Sequence, residues 1–561
     1  MDTKLKLSVA FALALLFGGK VFGQEWDYTI DLRWLDPMMT RQYCAYEMSD
    51  GRVIVSASFL YNDGSGHPFY PPHNALIALS PDGEELAKKD YFRDGYWGSS
   101  YNPYVFENEV GELFMLTTYS PDHNKAYFNY FQNLDDPPTD AILGLYKLDD
   151  HLEVVESYEY SFPIDTAQSP DVFGWCESSG GLHLHSAILD GGDMVGAYTK
   201  SVSLDRDSIH GYDSLFFFRM SFDGELLANV GYQLDASGVA WQMAFWREQL
   251  VSTDDGYIYY DYIPDVPPAP DGFDKPNDYA GTVAYLDKDL NLLRTRKLVH
   301  PGGNYSGWSG PFHFMDLSVM RSKHNTTYLA TRSNRHYDPN YDDCYLYEFD
   351  DDIHGEQDVV PIIHDLERGV KNFDFVAECR AVEVGGDGSV FFCYSLNVGM
   401  WYDDSWVVME RLDEEFNTLS TVYYGTDSDR ICYVAESITM SRDGDIFLTV
   451  ENRDLDDRSR IGSSVVKFPA KAFVGIEEAH ANGLKVAIAY PNPGNNMLNI
   501  RTGLKNARVE VYDTNGRLLH SQAITENVTA IDATDWAEGV YVWKVYTGDK
   551  EAETGRWIKQ W

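Results

Sequence analysis

The sequence predicts an all-β protein: a seven-bladed β-propeller closed by an N-terminal strand and followed by a small immunoglobulin-like β-sandwich. Short runs rich in Val, Ile, Phe and Tyr recur along residues 25–470, and the Gly or Asp-Gly turns between them are typical of hairpins. The pattern repeats about seven times at intervals of roughly 55–75 residues, which suits four-stranded blades. After Phe473 it changes to a compact series of strands. An array of β-sandwiches is the alternative architecture.

Each unit of the repeat contains a strand that follows a turn, a variable loop, a second apolar strand, an acidic turn and a third strand. The turns Pro81-Asp82-Gly83, Asp387-Gly388 and Asp443-Gly444 are the clearest, because Gly adopts the positive φ angles that tight hairpins need. The predicted strand pairs of the units, in chain order, are 52–57 with 75–79, 111–116 with 145–149, 181–184 with 215–220, 255–260 with 283–287, 327–331 with 345–350, 387–392 with 407–413, and 443–448 with 465–468.

The ring needs one more strand for closure. The first six units each continue into a further strand, whereas the seventh stops at Phe468 before Pro469. The segment Trp26–Leu32 has the composition of a strand and belongs to no unit. Closed β-architectures leave no open edge. We therefore expect Trp26–Leu32 to pair with Val465–Phe468 and to complete a propeller over residues 24–473.

The N-terminus is typical of a secretory signal peptide. Lys4 and Lys6 precede an apolar run from Leu7 to Phe17, and small residues follow before Gln24. We assign residues 1–23 to this peptide. The apolar run is too short to span a membrane, and no later segment approaches about 18 consecutive apolar residues. We expect no transmembrane span in the mature protein.

The charge of the chain excludes one class of partner. Acidic residues number 88 and basic residues 44, which gives a net charge of −44. A chain this acidic is repelled by phosphate backbones, so we expect no nucleic-acid partner. The acidity suits a soluble surface outside the cell, and bound cations are the alternative explanation.

The chain has six cysteines, an even number that permits disulfides in an oxidising compartment. No C-x-x-C spacing is present, so the sequence does not support a zinc site of that type. Cys379 and Cys393 lie on predicted neighbouring strands and are the preferred pair. Free buried thiols are the alternative.

The C-terminal residues carry a series of specific motifs. A Y-P-N-P start, a D-x-x-G-R turn, a G-x-Y strand and a final apolar-basic pair follow one another in residues 484–561. This order resembles the type A C-terminal sorting domain of the type IX secretion system, a family of Bacteroidetes. The bulky Trp557 and Trp561 depart from the family's usual tail. The motif residues are Tyr490, Pro491, Asn492, Pro493, Asp513, Gly516, Arg517, Gly539, Tyr541 and Lys559.

Each motif also has a physical role that we can predict. The two prolines should fix the chain as it enters the first strand, where a missing N–H suits an edge. Asn515 and Gly516 should supply the positive φ angles of a tight hairpin. Residues 474–483 form a short polar segment that we interpret as the linker between the two domains.

The resemblance implies export through the periplasm to the outer-membrane surface or the extracellular space. The type IX translocon and its sortase would be the partners, and the domain would be removed while the body is attached to lipopolysaccharide or released. An immunoglobulin-like module that is retained for binding is the alternative.

The sequence contains no enzyme signature: H-E-x-x-H, G-x-S-x-G and a phosphate-binding glycine loop are all missing. His183 and His185 stand two apart in a predicted strand, so both would point to one face and could bind a metal. The alternative is a packed or solvent-facing pair. We predict no metal site and no cofactor. The alternative is Ca²⁺ at one acidic loop. This loop lacks the Gly and the final Glu of a calcium loop. Its residues are Asp338, Asn340, Asp342 and Asp343.

Aromatic and acidic residues gather in loops that should open on one face of the propeller. This combination suits sugar stacking or a hot spot for a protein partner, although the same residues could pack the loops onto the ring. The candidate ligand-binding residues are Trp97, Tyr101, Trp175, Trp308, Trp401, Tyr402, Asp403 and Asp404.

We therefore predict a monomeric binding or adhesion protein without catalytic activity, whose propeller recognises a glycan or a protein. The alternative is an extracellular polysaccharide hydrolase or lyase that uses carboxylates in the propeller pocket. The sequence identifies no catalytic residue for that reaction. A purely structural role in a surface assembly is the third hypothesis.

Overall fold

The structure is a computed structural model of the full chain. It describes residues 26–30, 41–60, 72–93, 96–98, 103–121, 140–163, 182–200, 214–232, 250–261, 279–299, 313–321, 326–334, 343–350, 362–365, 375–376, 380–396, 406–413, 417–425, 431–454 and 461–560. The predicted signal peptide, residues 1–23, lies outside this described part.

Within the described parts of residues 26–468, the strands form seven antiparallel sheets. The chain begins with β1 (Trp26–Ile30) and the first sheet contains β2 (Arg41–Glu47), β3 (Val53–Leu60), β4 (Pro72–Leu79) and β5 (Glu85–Tyr91). The second contains β6 (Tyr96–Gly98), β7 (Tyr104–Glu107), β8 (Leu113–Pro121), β9 (Asp140–Leu148) and β10 (Val154–Pro163). The third contains β11 (Leu182–Asp190), β12 (Asp193–Lys200), β13 (Ser214–Met220) and β14 (Leu226–Tyr232).

The remaining four sheets continue in chain order. The fourth contains β15 (Leu250–Ser252), β16 (Gly256–Asp261), β17 (Tyr279–Asp287) and β18 (Leu292–Val299). The fifth contains β19 (His313–Arg321), β20 (Thr326–Asn334), β21 (Asp343–Asp350) and β22 (Ile362–Asp365). The sixth contains β23 (Phe375–Val376), β24 (Val382–Val384), β25 (Val390–Leu396), β26 (Trp406–Leu412) and β27 (Thr418–Tyr424). The seventh contains β28 (Ile431–Met440), β29 (Ile446–Asp454) and β30 (Ile461–Phe468), together with β1.

The predicted Asp-Gly turns hold the hairpins of the sixth and seventh sheets. Gly388 has a φ of 83° and Gly444 a φ of 87°, a region that residues with a Cβ rarely adopt. The Gly388 N–H donates to the Gly385 carbonyl at 3.0 Å, and the Gly444 N–H donates to the Ser441 carbonyl at 3.1 Å. The turns therefore set the register of the strands on either side.

The N-terminal strand completes the seventh sheet. Strand β1 pairs antiparallel with β30, with Trp26 opposite Lys467 and Ile30 opposite Ser463. This confirms the pairing that the missing strand of the seventh unit predicted. The described strand ends at Ile30, two residues before the predicted end at Leu32.

Neighbouring sheets pack on one another, and the first sheet also packs on the seventh. Strand β2 lies against β28, where Thr439 Oγ1 donates to the Ala45 carbonyl at 2.7 Å and the Arg442 N–H to Glu47 Oε2 at 3.0 Å. Phe447 and Val465 of the seventh sheet share an apolar cluster with strands of the first. Contacts between consecutive sheets and between the two ends of the series bury the main cores of the body.

The third sheet corrects one prediction. We paired residues 181–184 directly with 215–220, but β12 lies between β11 and β13 and pairs with both. The sequence analysis missed this strand because it contains Gly196, and Gly is unfavourable in strands. In the fold a Cβ at Gly196 would lie 2.5 Å from the Phe218 ring, so glycine is needed to admit that ring.

A predicted disulfide is also wrong. Cys393 lies in β25 with a free and buried thiol, so it does not pair with Cys379, which is outside the described residues. The thiol belongs to the apolar cluster shared by the sixth and seventh sheets, and burial raises its pKa. Cys393 therefore acts as a small apolar core residue.

The C-terminal module is a pair of sheets that face each other across an apolar core. A 3₁₀ turn (Ala470–Phe473) and helix α1 (Ile476–Ala481) precede the module. Its strands are β31 (Ala487–Tyr490), β32 (Met497–Thr502), β33 (Ala507–Tyr512), β34 (Leu518–Ile524), β35 (Val528–Asp532), β36 (Gly539–Thr547) and β37 (Lys550–Lys559). The sheet orders are β31-β32-β35 and β34-β33-β36-β37.

Two features of this region differ from the sequence interpretation. Helix α1 occupies much of the segment 474–483 that we interpreted as a polar linker. Pro491 and Pro493 follow the first strand, β31, instead of preceding it. No helix in the described residues is long and apolar enough to cross a membrane.

Candidate functional site

Most of the predicted ligand-binding residues lie outside the described residues. These are Tyr101, Trp175, Trp308, Trp401, Tyr402, Asp403 and Asp404. Only the backbone of Trp97 is described, in β6, where it pairs with Ser120 of β8. The ligand-binding face therefore stays a prediction.

The two candidate metal sites fare differently. The acidic loop is described only at Asp343, which begins β21. At the histidines, the β11 register shifts between Leu184 and Ser186, so His185 is an extra, bulged residue. A bulge disturbs the alternation of faces on which that prediction depends, and the side chain of His183 is outside the described ones, so the shared face stays a prediction. The buried His185 bonds Thr199 Oγ1 through Nε2 at 2.7 Å. Across the described ranges no group of three His, Cys, Asp or Glu residues is placed to bind a metal.

The Y-P-N-P motif joins the start of the C-terminal module to its last strand. The Trp557 indole N–H donates to the Pro491 carbonyl at 2.7 Å. The Asn492 side chain donates to the Arg556 carbonyl at 2.8 Å and accepts the Ile558 N–H at 2.9 Å. The Asn492 amide thus satisfies a donor and an acceptor of β37 together.

Lys559, near the end of the chain, holds the loop that follows β35. Its buried ammonium donates to the carbonyls of Ala533 at 2.6 Å, Thr534 at 3.0 Å and Trp536 at 2.7 Å. Three acceptors use all three protons of a Lys ammonium. The loop in turn places the Trp536 ring 6.1 Å from the Trp557 ring. The final basic residue therefore has a structural role inside the module.

The D-x-x-G-R motif forms the tight turn between β33 and β34. Asp513 Oδ1 accepts the N–H groups of Asn515 at 3.0 Å and Arg517 at 2.9 Å. These bonds hold the pKa of Asp513 below its usual value, and the bond from the Arg517 N–H has the largest effect. Gly516 has a φ of 78° and supplies the positive φ that we predicted, whereas Asn515 has none in the structure.

The G-x-Y motif opens strand β36. Gly539 begins the strand with a φ of 146°, which favours glycine. The Tyr541 hydroxyl donates to the Ala537 carbonyl, and its ring packs 5.9 Å from Trp557. Tyr490 is buried in the cluster that joins the module to the body.

The C-terminal module contacts the sixth sheet through its backbone. Tyr423 of β27 and Lys485 exchange two bonds, with N–O distances of 2.8 Å and 2.9 Å. This bridge covers part of a strand at the edge of the sheet, which would otherwise expose unpaired groups. Leu484, Val486 and Ile488 extend the apolar cluster of the sixth and seventh sheets into the module.

A buried arginine completes this contact. Arg501 of β32 is 4% exposed and donates to the Tyr394 hydroxyl at 3.0 Å, while that hydroxyl donates to Glu410 Oε1 at 2.7 Å. Burial raises the pKa of Tyr423 beside them, and Arg501 opposes that rise. The sequence analysis missed Arg501, because one arginine at a strand end carries no signal of burial.

The helix α1 is held by the module. His480 Nε2 and Glu553 Oε2 are 3.0 Å apart, and the same oxygen accepts the Val486 N–H at 3.0 Å. The bond with Glu553 raises the pKa of His480 above its usual value. Lys550 and Glu477 add an exposed ion pair.

Comparison with known proteins identifies the C-terminal module. Residues 488–560 match the family described as "Secretion system C-terminal sorting domain". The C-terminal module is a type IX secretion sorting domain. The sorting domain indicates that the protein is exported to the cell surface or the extracellular space, and it implies an interaction with the secretion system.

Solved structures resemble the whole chain only loosely. A protein of unknown function from Dyadobacter fermentans is 11% identical, covering 67% of this chain and 96% of its own, with a TM-score of 0.38. The α-L-arabinanase of Penicillium chrysogenum, complexed with arabinobiose, is 9% identical. The match covers 81% of this chain and 98% of the arabinanase, with a TM-score of 0.38. PorZ, a surface component of the type IX secretion system of Porphyromonas gingivalis, is 9% identical. The match covers 95% of this chain and 100% of PorZ, with a TM-score of 0.20. At these identities and TM-scores none of them assigns an activity to this chain. No curated protein matches it.

Proposed function

We propose that this protein is an exported binding protein whose body is a seven-bladed β-propeller and whose immunoglobulin-like sorting domain directs type IX secretion. In this proposal residues 1–23 are a signal peptide, 24–473 the propeller, 474–483 the linker and 484–561 the sorting domain. The match of residues 488–560 to the sorting family is the observation on which the proposal depends.

The pairing of β1 with β30 supports the propeller. A sheet built from both ends of the body ties the first and last units together, as closed β-architectures require. The seven described sheets also contact one another in chain order, and β2 contacts β28 across the seam. A linear array of sandwiches would not bring its first and last members into contact.

The propeller would bind a glycan or a protein through loops on one face. Its proposed contacts are the aromatic and acidic residues Trp97, Tyr101, Trp175, Trp308, Trp401, Tyr402, Asp403 and Asp404. Aromatic rings stack on sugars and anchor protein partners, while carboxylates accept hydroxyl protons. The alternative is a polysaccharide hydrolase or lyase that uses carboxylates of the same face. We propose a monomer with no cofactor.

Binding can be tested with the purified mature chain on glycan arrays and in pull-downs, with hydrolysis and lyase assays in parallel. We expect a ligand without turnover, and a loss of binding when Trp401 and Tyr402 are both changed to Ala. Phe92→Ala is the matched control, because Phe92 is an exposed aromatic residue that directly follows β5, the last strand of the first sheet. Product formation without stable binding would favour the enzyme instead.

Export can be tested by deleting residues 484–561. We expect the truncated protein to accumulate in the periplasm, and a Leu518→Ala variant of the full chain, changed at an exposed position, to reach the surface. Surface display of the truncated protein would contradict the role of the domain.

A further inference from the structure

The chain between the body and the sorting domain is anchored in two separate groups. On the body side, the Ser420 hydroxyl donates to the Phe473 carbonyl at 2.8 Å. The Phe473 ring meets the Phe391 ring edge to face at 5.4 Å, and Asp445 accepts the Ala470 N–H at 3.0 Å. Every one of these anchors lies at or before Phe473.

On the other side, the anchors begin at helix α1. His480 and Glu477 pair with Glu553 and Lys550 of the sorting domain. The buried Ala479 packs into the cluster at the contact between the two domains. The chain therefore changes from body anchors to sorting-domain anchors between Phe473 and Ile476.

The short segment between these groups is exposed to solvent. Val474 is 68% exposed, although it is apolar, and Gly475 is extended with a φ of −160° and a ψ of 172°. The neighbouring residues are wound into the 3₁₀ turn and helix α1. Exposed, small connecting segments are preferred sites of proteolytic nicking, and a cut here leaves both groups of anchors intact.

A cut at this position would not remove the contacts that hold the domains together. The Tyr423–Lys485 bridge and the bond of Arg501 with Tyr394 each join a residue before the cut to a residue after it. The fit is also close at Gly503, where a Cβ would lie 2.5 Å from Thr421 Oγ1 and 2.9 Å from Thr421 Cβ. The cut removes none of these buried contacts, and after it they alone hold the two pieces together.

We propose that the chain is processed within Phe473–Ile476 and that the sorting domain stays docked on the body after the cut, held by Arg501. Hydrolysis adds one water across one peptide bond and leaves a new carboxylate on the body and a new amino group on the sorting domain. Removal of the domain is then two steps, a cut and an undocking. This inference rests on the proposed function and on the removal of the sorting domain that the family resemblance implies, but its two parts can be tested without the secretion system.

Limited digestion of the purified full chain with thermolysin tests the cut. Thermolysin cleaves before apolar residues, so we expect a C-terminal fragment that begins at Val474 or Ile476 in the mass spectrum. Val474→Asp should suppress the first product, and Leu518→Asp, a change at another exposed apolar residue, should not. A sorting-domain fragment that begins elsewhere, or no such fragment, would overturn the proposed position.

Size-exclusion chromatography of the nicked protein tests the docking. We expect the two pieces to elute together at micromolar concentration, and Arg501→Met to weaken their association at least about tenfold, equivalent to about 1.4 kcal/mol. Arg508→Met is the matched control, because Arg508 lies in the other sheet and pairs with Glu510. Separate elution of the unaltered pieces, or equal effects of the two variants, would overturn the docking.

A size exchange guards against variants that fail to fold. Gly503→Ala should release the nicked domain because the added methyl meets Thr421. Thr421→Gly in the same chain removes the clash and should restore joint elution. Failure of the exchange to restore it would show that Gly503 does not act through this contact and would count against the docked state. Loss of export with an intact nicked complex would instead contradict only the proposed function.

Discussion

Changing Trp557 to Phe should destabilise the sorting domain by about 1 to 2 kcal/mol more than changing Trp543 to Phe. Both indoles are fully buried in the core between the two sheets, so both changes remove a similar apolar area. The Trp557 N–H donates to the Pro491 carbonyl at 2.7 Å, whereas the Trp543 N–H has no acceptor among the described residues.

The magnitude follows from this difference. A buried polar group that loses its partner costs about 1–3 kcal/mol, and we take the lower half of that range because Pro491 as a residue is exposed. Trp543→Phe removes a donor that has no acceptor, so it carries no such penalty. Both variants share the cost of the smaller ring, which cancels when they are compared.

Hydrogen exchange of the full chain, followed by mass spectrometry, measures this difference in place. Peptides from β36 and β37 report the local opening free energy of the sorting domain. We expect exchange to be roughly tenfold faster in Trp557→Phe than in Trp543→Phe, since about 1.4 kcal/mol corresponds to a factor of ten. Equal rates, or a larger effect at Trp543, would refute the role of the Pro491 bond.

Three further predictions concern other parts of the fold. Lys559→Met should destabilise the sorting domain by about 3 kcal/mol, because three carbonyls lose one charged donor. The measurement is the denaturation midpoint, which should fall. Lys550→Met, at an exposed ion pair, should change the midpoint little. The raised pKa of His480, set by Glu553 and opposed by Lys485, should stabilise the contact of α1 with the sorting domain below about pH 6.5. That stability should be lost as the pH rises through the raised pKa. Thermolysin should therefore cut the segment Phe473–Ile476 faster at pH 8 than at pH 6, relative to a standard peptide. His480→Asn should remove this pH dependence. Deleting residues 26–30 should expose the edge of β30 and cause the body to aggregate, which light scattering would reveal; an unchanged monomer would contradict closure by β1.

Local patterns predicted much of the fold. The Asp-Gly turns at Gly388 and Gly444 required positive φ angles, and the structure has them. The absence of a final strand after Phe468 predicted the β1–β30 pairing across more than four hundred residues. These predictions succeeded because turn chemistry is local, and because an open sheet edge is unfavourable enough to require a partner.

The missed elements depend on packing that no short window contains. Strand β12 was missed because it contains Gly196, where a Cβ would lie 2.5 Å from the Phe218 ring and 2.7 Å from the Ser186 carbonyl oxygen. The bulge at His185 turned a regular alternation into an irregular one. Residues 474–483 looked like a polar linker, yet helix α1 buries Ala479 against the contact between the two domains. These features are visible only once the strands and the two domains are in contact.

Arg501 shows this limit most clearly. In β32, Leu498 and Ile500 belong to the core of the sandwich, and strand alternation puts Arg501 on the opposite face. In an isolated sandwich that face meets water, where an arginine is an ordinary choice. Only the docked body, through Tyr394 and Glu410, converts the position into a buried one. Burial of a charge is costly unless the charge is paired, so in the docked arrangement the bond of Arg501 to Tyr394 offsets part of that cost.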